Sequence, residues 1–177
     1  MEMNLKTTMF KVQYYAGFSL AALLVIFILT SSRYAKTNFA GEWVLSKEKS
    51  KMTEGQRIIF SRLAVNQSGN DLTISRTGQS PDGQEFTMEE KISLDGKESE
   101  NNFFDGMVKK KSTTKWSGDE KILTINSAIV FNRDGNEMNM KSTEIWDLAK
   151  SPAALTINYS STTPNGEIKD TYVYDKK

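Results

Sequence analysis

The chain has no histidine and no cysteine. The first absence removes the usual general base near neutral pH and the commonest transition-metal ligand. Together they exclude Ser-His-Asp, Cys-His and zinc arrangements, and a haem held by a proximal His. Glu89 and Glu90 are adjacent, and neighbours on a strand point to opposite faces, so they cannot act as a carboxylate pair. Asn132 to Glu137 is acidic but lacks the alternating ligands and terminal Glu of an EF-hand loop, and reads as a solvated hairpin tip. Lys109-Lys110-Lys111 splits across the two faces of a strand and reads as a solvated surface strand rather than a phosphate site. No catalytic residue, metal site or cofactor is expected, and the chain is not expected to be an enzyme.

Two other ionisable residues fall on apolar faces. If Leu72 and Ile74 point into a core, Arg76 shares their phase; by the same count Glu144 lies between inward Met138 and Met140 and inward Trp146 and Leu148. An Arg in an apolar lining can hold a ligand carboxylate bidentately. The alternatives are that Arg76 reaches water at a rim, or that Arg76 and Glu144 pair with each other, because charged side chains are rarely buried alone. The candidate ligand-binding residues are Arg76, Trp116, Phe131, Met138, Met140, Glu144 and Trp146, the Met side chains supplying an adaptable surface. Trp43, Trp116 and Trp146 also suit core or barrel-end packing. Phe103 and Phe104, followed by Asp105-Gly106-Met107, form an apolar cluster between strands that suits a portal flap, a membrane-touching tip or a loop folded over a barrel end.

The elements that must position these residues are strands. Short alternating segments are joined by Gly, Asn, Asp and Pro clusters, the pattern of an antiparallel all-β fold. Leu-Thr-Ile occurs at 72–74, 123–125 and 155–157, each time just after a turn, so each reads as the outgoing arm of a hairpin with Leu and Ile on one face. Strands are expected near 39–46, 59–67, 71–78, 84–93, 107–117, 121–131, 137–148, 154–162 and 167–175. The polar stretch Lys47 to Arg57 reads as a loop or short helical turn crossing one end. About nine strands laid flat would leave two long edges, so closure into a barrel or sandwich is expected.

Gly41-Glu42-Trp43 resembles the Gly-x-Trp start of lipocalin-type barrels, in which the Trp plugs the closed end. Gly41 to Ser50, Leu94 to Glu98, Lys115 to Asp119, Glu144 to Leu148 and the C-terminal Gly166 to Lys177 extend the resemblance over essentially the whole polar domain. The chain is thus similar to lipocalin-like (calycin-type) β-barrel domains of bacterial secreted or membrane-anchored proteins. The resemblance implies an all-β, antiparallel barrel of about eight to ten strands. No ligand is carried over from it.

The N-terminus gives an address. Val12 to Ser32 is an uncharged run of 21 residues between Lys11 and Arg33. Counting Tyr14, Tyr15 and Thr30, its apolar part is just long enough to span a bilayer, with the tyrosines at an interfacial level. Its exit, Thr30 to Ala35, offers small residues but no Ala-x-Ala pattern, which favours an uncleaved anchor over a cleaved signal peptide. The expected organisation is a transmembrane or signal helix within 1–36 and one barrel domain over 37–177. That domain keeps 19 Lys and Arg against 21 Asp and Glu, which argues against a nucleic-acid partner. The expected location is single-pass membrane, through residues 12–32, with the barrel extracytoplasmic (periplasmic or extracellular); secretion after cleavage is the alternative. Two functions stand side by side. One is an envelope-facing module binding a small lipophilic molecule. The other is a structural or interaction module with a side-chain-filled barrel that contacts another envelope protein.

Overall fold

The apolar alternation is realised as ten antiparallel strands: β1 (Gly41–Leu45), β2 (Phe60–Ser68), β3 (Asp71–Gln79), β4 (Glu85–Ser93), β5 (Ser99–Phe103), β6 (Val108–Trp116), β7 (Leu123–Arg133), β8 (Asn136–Lys150), β9 (Ala153–Thr163) and β10 (Gly166–Lys176). The computed structural model describes residues 35–53, 58–80, 82–133, 135–150, 153–163 and 166–177. The expected membrane segment 12–32 lies outside the described residues. Among them, no helix is long and apolar enough to cross a membrane.

The strands form one sheet in the order β4-β3-β2-β1-β10-β9-β8-β7-β6-β5. β1 pairs with both β2 and β10, so the first and last strands are neighbours. The two ends of the order, β4 and β5, are consecutive in sequence and come together without a backbone ladder. Side chains join them instead. The Asn101 amide accepts from Lys91 N at 2.8 Å and donates to Lys91 O at 2.9 Å, and Ser99 Oγ accepts from Ser93 N at 2.8 Å. The sheet is therefore a nearly closed barrel whose two edges are stitched rather than left open.

β5 was not anticipated. Its sequence Ser-Glu-Asn-Asn-Phe has no apolar alternation, and it is a strand because β6 pairs with it from Ser99↔Ser112 to Phe103↔Val108. Tertiary context of this kind overrides strand propensity. The 47–53 part of the polar crossing contains a turn at 47–49 and then runs beside β10, with Lys51 bridged to Thr171 and Thr53 N donating to Asp170 Oδ1 at 2.7 Å.

One end of the barrel is solid. The Leu and Ile of all three Leu-Thr-Ile tripeptides are buried there, none more than 2% exposed. Phe39 packs between Trp116, stacked at 6.0 Å, and Trp146, edge-on at 5.5 Å. Trp43 is buried beside them, and its indole N–H donates to Phe39 O at 3.0 Å. The segment before β1 is pinned by Gln67, which accepts from Phe39 N and donates to Thr37 O. Each fully buried Leu or Ile here contributes about 1.5–3 kcal/mol from burial, so this end holds the barrel together without any disulfide.

Candidate functional site

Moving along the strands from the solid end, the next inward layer is charged. Arg76 on β3, Glu90 on β4, Lys110 on β6 and Glu144 on β8 are all buried, none more than 9% exposed. Alternation puts each on the inner face. Arg76 follows Leu72 and Ile74, Glu90 precedes Ile92, Lys110 precedes Ser112 and Thr114, and Glu144 precedes Trp146. What makes four buried charges tolerable is their mutual pairing. Arg76 Nε donates to Glu90 Oε1 at 2.8 Å, and Arg76 Nη2 donates to Glu144 Oε2 at 2.8 Å and Oε1 at 3.1 Å. Lys110 Nζ donates to Glu90 Oε2 at 2.6 Å and lies 3.9 Å from Glu144 Oε1. The Trp146 indole N–H completes the layer by donating to Glu144 Oε2 at 2.9 Å. Two cations and two anions leave the cluster electroneutral.

The electrostatics follow from that arrangement. Burial alone would raise the pKa of Glu90, but Lys110 and Arg76 outweigh it and hold the carboxyl down to about 2. For Glu144 burial also pushes upward, and Arg76 and then Lys110 overcome it, so this carboxyl too sits below its ordinary value. Burial works against the Arg76 cation as well, and Glu144 and Glu90 more than compensate. Above the cluster, burial pushes the Tyr174 and Tyr159 phenols upward, keeping them neutral.

Beyond the charged layer the interior is not filled. A cavity of about 790 Å³ occupies this half of the barrel, with Arg76, Glu90, Lys110 and Glu144 among its lining residues. Its walls are largely apolar and aromatic, including Met88 from β4, Ile129 from β7 and Tyr172 from β10. The volume lies inside the roughly 300–1,000 Å³ of small-molecule sites, and an apolar wall with a few convergent polar groups is their usual composition. Near the mouth Gly78 on β3 allows the backbone just before β2 to come close, since a Cβ there would lie 3.0 Å from Ile59 O.

Of the residues put forward from sequence, Arg76, Phe131, Met138, Met140 and Glu144 line the cavity. Trp116 and Trp146 do not. Both lie in the layer below the charges, Trp146 fully buried and Trp116 packed against the solid core and donating to Leu94 O at 3.3 Å. Alternation assigns a face of the sheet but not a depth along the barrel, and the two indoles lie one layer deeper than a ligand-lining role requires. Phe103 and Phe104 also line the cavity, at the β5–β6 turn. Phe103 is buried and Phe104 half exposed, with the Phe104 backbone in the left-handed region at φ 52°. The Phe104 ring lies 6.2 Å from that of Phe86 on β4, so an aromatic pair bridges the β4/β5 seam at the mouth.

Glu90 and Lys110 were missed. In sequence Glu90 stands out only as a neighbour of Glu89 with which it cannot pair, and Lys110 reads as part of a solvated run. Each nonetheless occupies the inner phase of its strand. The phase of Ile92 for Glu90, and that of Val108 and Ser112 for Lys110, was the available signal. Arg76, offered as a hook for a ligand carboxylate, is instead taken up by Glu90 and Glu144, in line with the pairing alternative for Glu144.

No protein-family model and no curated protein sequence matches this chain. Among solved structures, the zebrafish ileal bile acid-binding protein, crystallised with cholic acid, is similar, with a TM-score of 0.45 and 15% identity over 78% of this chain and 98% of that one. Among the described residues no cluster of three or more His, Cys, Asp or Glu side chains is placed to hold a metal ion.

Proposed function

We propose that the barrel is a binding module for a small lipophilic molecule, attached to a membrane through residues 12–32 and facing the extracytoplasmic side. The observation that carries this reading is the half-empty interior: about 790 Å³ of mostly apolar space above a polar floor. A module serving only as a structural or interaction partner would have no need to leave that volume unfilled, because empty apolar space forfeits packing contacts and costs stability. The reading is of a binder rather than an enzyme, since the ionisable groups of the charged floor are tied up in one another. Glu90 and Glu144 are held as carboxylates by the cations beside them and are poor proton donors near neutral pH. The membrane address rests on the apolar run alone, and an uncleaved anchor remains favoured over secretion after cleavage.

The test is native mass spectrometry of the full-length chain released from membranes of its own cells, with organic extraction of whatever travels with it. A near-stoichiometric lipophilic adduct is expected. A clean apo mass that persists after incubation with a total lipid extract would overturn the binding reading and leave the interaction module. Protease protection of the barrel in intact cells tests the location separately, exposure from the outside being the expected outcome.

A further inference from the structure

We infer that the occupant of the cavity is an uncharged lipophile carrying a hydroxyl or carbonyl group, and that carboxylate-bearing amphiphiles are disfavoured. This rests on the proposed binding function and narrows it. The charged groups of the floor form a closed set. Arg76 divides its guanidinium between Glu90 and Glu144, and Lys110 sits against the same two carboxylates, at 2.6 Å from Glu90 and 3.9 Å from Glu144. A ligand carboxylate delivered to this floor would be a third anion against two cations in a space where charge is poorly screened. It would have to displace an internal carboxylate or sit unpaired, and either is costly. A ligand ammonium meets the mirror-image problem. A neutral oxygen does not, because the floor retains donors that need no counter-charge. Lys110 Nζ carries three protons and, among the described residues, gives one hydrogen bond.

Along the largely apolar wall runs a strip that is polar in the same uncharged way. Ser112, Ser127 and Ser142 lie directly opposite one another on β6, β7 and β8, with Ser112 and Ser127 hydroxyls 2.9 Å apart and Ser142 lining the cavity. The tyrosines above, Tyr159 and Tyr174, are kept as neutral phenols, and Tyr174, whose O–H donates to Phe60 O at 3.1 Å, keeps its oxygen as an acceptor. Hydroxyl groups of this kind pair with an alcohol or carbonyl as donor or acceptor without altering the charge balance.

The experiment offers the full-length chain, held in detergent micelles, equal amounts of hexadecanol and hexadecanoate at about pH 8, where the acid is ionised. Native mass spectrometry then reads the ratio of the two adducts. The wild-type chain is expected to retain the alcohol at least about tenfold over the acid. Glu144→Gln leaves the floor with one excess positive charge and should raise the acid-to-alcohol ratio by about tenfold or more. Micelle partition is common to both chains and cancels in that comparison. Lys110→Met leaves one excess negative charge and should exclude the acid further while admitting hexadecylamine. Equal or preferential retention of the acid by the wild-type chain, or a ratio that neither variant moves, would overturn the inference while leaving lipid binding intact. No adduct of either compound would overturn both.

Discussion

Arg76 and Glu144, 68 positions apart in the chain, meet inside the barrel with Arg76 Nη2 2.8 Å from Glu144 Oε2. The contact spans the barrel interior, from β3 to β8, which lie five strands apart in the sheet order. It therefore reports closure of the barrel as well as local pairing. Since Glu90 and Lys110 share the same cluster, the four groups act as one unit: each removal unbalances the other three.

Removing one charge should accordingly cost more than removing a balanced pair. Arg76→Met leaves two carboxylates facing one ammonium and is expected to destabilise the fold by about 3–5 kcal/mol, the usual cost of orphaning a buried charge. Adding Glu144→Gln restores neutrality around Lys110 and Glu90 and keeps an acceptor for the Trp146 indole N–H. The double variant should recover most of that loss. Urea denaturation of the four chains of this cycle gives the coupling directly, and simple additivity of the two single effects would rule out a shared cluster.

The cluster also sets the acid limit of the fold. The carboxyls of Glu90, at about 2, and Glu144 lie below their ordinary value of 4.5. A depressed folded-state pKa contributes stability that is complete above the ordinary value and is lost as pH falls through the folded one. The urea midpoint should therefore be flat from about pH 5.5 to 8 and fall steeply from about pH 4.5 toward 2. Lys110→Met removes the larger of the two attractions holding Glu90 down, so in that variant the acid loss should still begin near the ordinary value but be smaller and end at higher pH. An unchanged acid limb would contradict this assignment.

The seam between β4 and β5 should be the weakest line of the barrel. Asn101→Ala deletes both hydrogen bonds to Lys91, one to its N–H and one to its C=O. Each is worth about 0.5–1.5 kcal/mol, so a loss of about 1–3 kcal/mol is expected. Hydrogen exchange should accelerate at Lys91 far more than at Ile74 or Ile125, which sit in the continuous part of the sheet.

Phe104 offers a way to separate passage from stability. Its left-handed backbone costs about 1–2 kcal/mol for a non-glycine residue. Phe104→Gly relieves that, but forfeits about 0.5–1.5 kcal/mol of aromatic contact with Phe86 and about 0.5–1 kcal/mol of chain entropy. The net change in stability should stay within about 1.5 kcal/mol of zero. Dissociation of the neutral dye Nile red, followed by stopped-flow displacement, should nevertheless speed up several-fold, because the aromatic bridge over the seam is gone. Unchanged dissociation would place the passage elsewhere on the rim.

The period-2 pattern by itself determined which residues face inward. The three Leu-Thr-Ile arms and the inward phase of Arg76 and Glu144 follow from it, because alternation and turn chemistry are local properties of the chain; the plug at Trp43 follows from the Gly-x-Trp resemblance instead. It did not determine depth or partnership. Trp116 and Trp146 share a face with Met138 and Met140 yet lie under the charged floor. Glu90 and Lys110 carry local patterns that read as solvated, and the polar Ser99–Phe103 segment carries no strand signal at all. Those outcomes were decided by the register of ten strands brought together from across the chain. A buried charge is stable only beside its counter-charge, and which strand supplies that counter-charge is a property of the closed barrel rather than of any one segment.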